Sequence, residues 1–383
     1  MTRVSVQPQL LRWACERAGI GVHDLARRFP QLPEWERGEK QPTLKQLEAF
    51  AKATYTPFGF LFLPVPPQEP LPIPDFRTLK DRPARPSPDL LDTIYAMKRR
   101  QDWLREERLE NETDPLEFVG NARLSDEPAA VGQEMRRTVG LDDGWAGAVR
   151  SWQEAVSELR RRIEVLGVMA VINGIVGNNT HRTLDVGEFR GFALTDRHAP
   201  LIFINGADSK SAQMFTLAHE LAHIWLGSEG EGISGFEGLL PGDSRVEKFC
   251  DQAAAEFLVP ARELREHWRD VRSAPDVFER IARLFKVSPI VAGRRAMDLR
   301  LVSRETFFGF YNEYVKQERR RTHETSGGNF YNNQNTRVGE LFATHVLRAA
   351  MEGRIGFKEA YELTGLRGET FQKYARRLGG DLP

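Results

Sequence analysis

The chain has little that would tie it to a membrane or to an oxidising compartment. Only two of its 383 residues are cysteine, Cys15 and Cys250, far apart and in no metal-binding spacing. That excludes a disulfide framework and points to a reducing compartment. The N-terminus lacks a basic-then-apolar signal sequence, and no apolar run approaches the length needed to cross a bilayer. The expected location is the cytoplasm, with no membrane partner. There is no charge of one sign to spare either. The 54 basic side chains are matched by 54 acidic ones, so no global field recruits nucleic acid or lipid headgroups. What remains is ordinary globular material, 40% hydrophobic and long enough for two or three domains.

Against this plain background one stretch carries chemistry: FTLAHELAHIWLG, Phe215 to Gly227. His219 and His223 stand four apart, so on a helix they project from one face, one turn apart. Neutral imidazoles at that spacing can share one tetrahedral Zn²⁺. The intervening Glu220 is then placed to take a proton from a metal-bound water. Ser209 is a suitable N-cap, Leu217, Leu221, Ile224 and Trp225 give an apolar stripe, and Gly227 is a suitable stop. A buried helix whose histidines merely pack would look similar, but His-Glu-x-x-His arises by chance in only about one in a hundred chains this long. A second stretch strengthens the case. RVEKFCDQAAAEFLVP, Arg245 to Pro260, reads as a helix ended by Pro260. It offers Glu247 as a third ligand and, on the same face, Asp251 to hold the outer ring nitrogen of a ligand histidine.

The flanks are mostly helical. Helices are expected around Leu10 to Ala14, His23 to Phe29 and Leu44 to Ala53. WERGEKQPTLKQLEAFA, Trp35 to Ala51, resembles the latter half of repressor-type helix-turn-helix domains. The span RRFPQLPE leaves no room for a recognition helix, since Pro30 and Pro33 disfavour a helix interior. A docking module is therefore favoured over a reader of DNA. The apolar run Phe58 to Leu63 suits an interdomain plug. A proline-rich linker follows, then a charged amphipathic helix from Asp89 to Glu110 and further helices near Glu127 to Val139 and Ser151 to Leu166. From Gly167 the period changes. VMAVING, EFRGFAL and PLIFING read as short strands, the last leading into the His-Glu-x-x-His helix. An edge strand there suits strand addition by an extended peptide. Beyond the metal stretch, Asp276 to Met297 has helix-turn-helix spacing. Arg294 and Arg295 stand there as candidate phosphate contacts, weighed equally against a role in capping the core. HETSGGNFYNN, His323 to Asn333, reads as a boundary loop before a last helical unit.

Residues from about 165 to 260 resemble the ImmA/IrrE family of metallo-endopeptidases, through EFRGFAL, PLIFING, FTLAHELAHIWLG and EKFCDQAAAEFLVP. The family pattern after the first metal helix is matched at Glu247, Ala254, Leu258 and Pro260. It is departed from at Cys250, Asp251 and Ala253. The resemblance implies zinc held by His219, His223 and Glu247, with Glu220 as general base and a specific regulatory protein as substrate. The N-terminal segment is similar to the repressor-like (XRE-type) module of long members, which implies an antitoxin-like role beside a PIN-like toxin. The expected fold is α+β and mostly helical: a small zincin-like core with a twisted sheet, flanked by helical modules. The expected divisions are 1–64 (repressor-like), 65–88 (linker), 89–325 (peptidase) and 326–383 (small helical module). The competing function is a regulator or antitoxin that holds a toxin or operator DNA, with the zinc site secondary. An open three-ligand set speaks against a purely structural metal.

Overall fold

Proline and glycine set several of the helix boundaries. In a computed structural model, residues 3–67, 69, 86–227, 245–318 and 336–379 are described, and they form two compact units. The first comprises residues 3–67, 69 and 86–95, the second 96–379.

In the first unit, α1 (Pro8–Ala18) begins on a proline at its first turn and ends on Gly19 in the left-handed conformation. It is followed by α2 (Val22–Ala26), α3 (Leu32–Glu36) and α4 (Leu44–Ala53). Thr43 and Gln46 close a capping box on α4. The short helix α3 was not expected. It forms because Pro33 falls in its first turn, where a missing N–H costs nothing. Its inward side chains, Leu32 and Trp35, are core residues. Between them stands Glu34, which pairs with Lys40 at 3.1 Å, so this helix shows an acidic side chain where a phosphate reader would show basic ones. Phe58–Phe62 is a 3₁₀ turn whose Leu61 closes this unit's own core. Cys15 is buried in the same core.

In the second unit, α5 (Pro88–Glu110, of which 96–110 belong here) is followed by α6 (Pro128–Val139), α7 (Trp145–Ala148) and α8 (Trp152–Val165). The sheet has three strands in the order β1 (Met169–Asn173), β5 (Leu201–Asn205), β4 (Gly191–Leu194). β5 pairs parallel to β1 and antiparallel to β4. Each strand is buried along its length, which is why these segments read as unbroken apolar runs. Ala170, Ile172, Ala193, Ile202 and Ile204 face the main core. The hairpin of β2 (Ile175–Val176) and β3 (Asn179–Thr183) was not visible in the sequence, because its exposed polar residues carry no alternation.

From β5 the chain turns into α9 (Lys210–Leu226), then α10 (Arg245–Leu258), α11 (Ala261–Val271), α12 (Val277–Phe285), α13 (Pro289–Asp298) and α14 (Arg304–Glu318). Phe278, Ile281, Phe285, Ala292 and Ala296 of α12 and α13 lie in the same core as α9 and α10. The helix-turn-helix-like spacing there is thus a core-capping pair. Three last helices, Glu340–Met351, Phe357–Thr364 and Gly368–Arg377, pack within the same unit. Arg100 of α5 ties them down by donating to the carbonyls of Leu363 and Arg337, both at 3.0 Å. The expected boundary loop His323 to Asn333 lies outside the described residues, as does most of the proline-rich linker. The architecture is mostly helical with a small mixed sheet: a zincin-like core flanked by helical modules. No described helix is long and apolar enough to cross a membrane.

Candidate metal centre

Helix α9 is held at both ends. Ser209 accepts a hydrogen bond from the Ala212 N–H at its start. Gly227 closes it at φ 62°, ψ −163°, a conformation open in practice only to glycine. A side chain at Gly227 would also collide with Gly120, whose Cα would lie 2.6 Å from the new Cβ. That contact is part of a strap. The N–H groups of Gly120 and Ala122 donate to Ile224 and Trp225, and Phe118 stacks on the Trp225 ring at 4.5 Å. Met214, Leu217, Leu221, Ile224 and Trp225 are completely buried, each contributing about 1.5–3 kcal/mol by leaving water. This burial fixes the rotation of the helix, and so fixes where His219 and His223 point.

Helix α10 brings the third group. Phe249, Cys250, Ala253 and Phe257 anchor it in the core. Gly132 lets α6 approach so closely that an added Cβ would lie 2.5 Å from the Ala253 carbonyl oxygen. Two buried ion pairs fix the far end of α10. Glu256 takes Arg295 and the Gln133 amide, and Arg136 bridges Glu263 and the Phe257 carbonyl. Sequence reasoning missed these pairs, since nothing in a local pattern marks which charges will be buried.

The three groups converge. The His219 and His223 Nε2 atoms are 3.1 Å apart, and the nearest Glu247 oxygens lie 3.4 and 3.5 Å from them. Ligands about 2.0–2.1 Å from a tetrahedral metal stand about 3.3 Å from one another, so these spacings fit such an ion. The chemistry of the donors agrees. The His219 Nδ1 lies 2.9 Å from an Asp251 oxygen, so its proton is held there and the Nε2 presents a lone pair inward. Glu247 is buried, while Asp251 is half exposed at the rim. Among the described residues this is the one His/Cys/Asp/Glu group close enough to hold a metal ion. Glu220, next to His219 on the helix, is buried as well.

The two arginines proposed as phosphate contacts part company. Arg295 is buried, donating to the Val259 carbonyl and to Glu256, and burial lowers its pKa. This corrects the expectation for Arg295: its length serves the packing of α13 on α10. Arg294 is exposed and bridges Asp298 at 3.1 Å.

Comparison with known families agrees with this centre. The family described as Peptidase_M78, IrrE N-terminal-like domain, matches residues 181–297, a span holding both metal helices. A domain of unknown function, DUF8813, matches residues 338–377, the last three helices. No curated protein and no solved structure matches the chain. An IrrE N-terminal-like domain is thus present over residues 181–297, with a His/His/Glu cluster able to bind a metal.

Proposed function

We propose that the protein is a zinc-dependent endopeptidase acting on a specific regulatory protein. The observation that carries this reading is the convergence of His219, His223 and Glu247 at tetrahedral spacing beside the buried Glu220. Three protein ligands, with a place left for water, are the pattern of catalytic rather than structural zinc. Zinc held there would supply Lewis-acid polarisation of the scissile carbonyl and an acidified water. The chain's own residues do the rest. Glu220 takes a proton from the attacking water at its carboxylate and returns it to the departing amine. Asp251 keeps the His219 ring in the tautomer that offers Nε2 inward. β4 has β5 on one side and no strand on the other among the described residues, which makes it the strand beside which an extended substrate would add. A regulator as target, and a partner toxin held by the helical modules, are the finer parts of the proposal.

The test is a substrate trap. Tagged wild-type and Glu220→Gln proteins are recovered from native cells, bound proteins identified by mass spectrometry, and zinc quantified in both. A partner retained by the variant, cut in wild-type cells, and zinc present in each is the expected result. Cleavage by Glu220→Gln at the wild-type rate would refute the assigned base. A partner held equally and uncut by both would replace the enzyme with a scaffold or antitoxin.

A further inference from the structure

Helix α9 is covered nearly all round, and what it leaves open is a single stripe. From Gln213 to Leu226 every side chain is buried except three: Phe215, His219 and His223. They stand four apart, so they lie one above another on one face of the helix. Two of the three belong to the metal centre. The third is a phenylalanine, one turn before His219, with its ring 6.3 Å from the imidazole. One side of that ring packs on the core, and the rest stays open along the stripe. A lone half-buried phenylalanine needs no explanation elsewhere on a surface. Here it occupies the open strip of the helix that carries two metal-binding groups.

The neighbourhood of the ring is apolar. Ala212 stands one turn earlier and is half-buried. The Thr216 hydroxyl is turned back on its own helix, donating to the Ala212 carbonyl at 3.0 Å. A charged group laid over Phe215 would lose water without gaining a partner from this turn, whereas an apolar group gains by leaving water. The other side of the centre differs. Past His223 the stripe ends at Gly227, pressed against Gly120, so backbone stands where the first side has an aromatic ring. The edge strand reaches the same turn. Gly191, which opens β4, lies so close to α9 that an added Cβ would be 2.7 Å from the Thr216 Cγ2. A chain running beside β4 and over the metal centre would therefore cross Phe215.

We propose that Phe215 is a specificity-determining residue, the apolar wall of a subsite next to the metal. The substrate then carries a large apolar side chain, aliphatic or aromatic, beside the scissile bond on the Phe215 side. The substrate class rests on the endopeptidase reading; the wall rests on the geometry of α9 alone.

Hydroxamic acids ligate zinc directly and are not cut, so they probe the wall without any cleavage. The experiment is isothermal titration of the zinc-loaded, full-length protein with acetohydroxamic acid, which ends in a methyl group, and phenylacetohydroxamic acid, which ends in a benzyl group. Wild type should bind the benzyl probe about tenfold tighter or more. Phe215→Ala should shrink that preference to about threefold or less, and Phe215→Leu should restore most of it. The preference is a ratio within one protein, so a change in zinc affinity through the His219 contact cancels. The proposal is overturned by an undiminished preference in Phe215→Ala, by no preference in wild type, or by failure of both probes to bind. A lost preference beside a partner trapped by Glu220→Gln and cut by wild type removes the wall and leaves the endopeptidase. The expected preference with no partner cut keeps the wall and removes the endopeptidase.

Discussion

Asp251 offers a sharp test of the metal centre, because it touches a ligand without being one. Its carboxylate lies 2.9 Å from the His219 Nδ1 and fixes both the tautomer and the ring orientation. Removing such a partner costs about 10- to 100-fold in metal affinity. Asp251 is 53% exposed, so water can replace part of what is lost, and the low end applies. Asp251→Ala should therefore weaken zinc binding about tenfold, or about 1.4 kcal/mol. Asp251→Asn retains an oxygen acceptor but loses the charge, and should fall between wild type and Ala. The assay is competition for zinc against a chromophoric chelator at neutral pH, with Glu247→Ala as the variant that loses a ligand outright. Thermal unfolding at fixed free zinc gives an independent measure, since tenfold weaker binding removes about 1.4 kcal/mol of ligand-linked stability once zinc is well above Kd. The reasoning fails if Asp251→Ala binds zinc within twofold of wild type while Glu247→Ala does not. His219 would then be oriented by the helix alone.

Other expectations follow from packing and charge. Gly132→Ala should cost about 1–3 kcal/mol by forcing α6 from α10, and it should weaken zinc binding because α10 carries Glu247; urea unfolding and zinc titration of one preparation check both. Arg136→Ala strands the buried Glu263 carboxylate and should lower stability by about 3–5 kcal/mol, with Arg136→Met/Glu263→Leu recovering much of it. Burial, then the charge of Glu340, pushes Glu164 from an ordinary 4.5 up to about 7. The folded state therefore binds the extra proton between those values, and stability should fall as pH rises from about 4.5 to about 7, by up to about 3 kcal/mol. Glu164→Gln should remove that slope, so unfolding of wild type and variant at pH 5 and pH 8 should differ; parallel pH profiles would refute the burial argument.

Several features were legible in the sequence because they depend only on local spacing. His219 and His223 had to share a face, since four residues is close to one helical turn. Ser209 and Gly227 act through groups within a few residues, and each stands at the helix end it was expected to mark. The three strands were readable because a fully buried strand is an unbroken apolar run. The helix α3 escaped notice because prolines were weighed as breakers, whereas one of them falls in a first turn.

Tertiary structure decided what local pattern could not carry. Glu247 was nameable as a ligand, but only the packing of α10 on α6 and α9 places its oxygens 3.4 and 3.5 Å from the two imidazoles. Arg294 and Arg295 are neighbours of one type, yet one faces solvent and the other is buried on Glu256, because a helix turns about 100° per residue and only the fold says which side is covered. Glu164 and Glu340 are 176 residues apart in the chain and look like solvated charges there. They line one cavity only because the last helices return to α8. Spacing along the chain determines which groups share a face; burial and long-range approach determine what that face meets, and these exist only once the chain has folded.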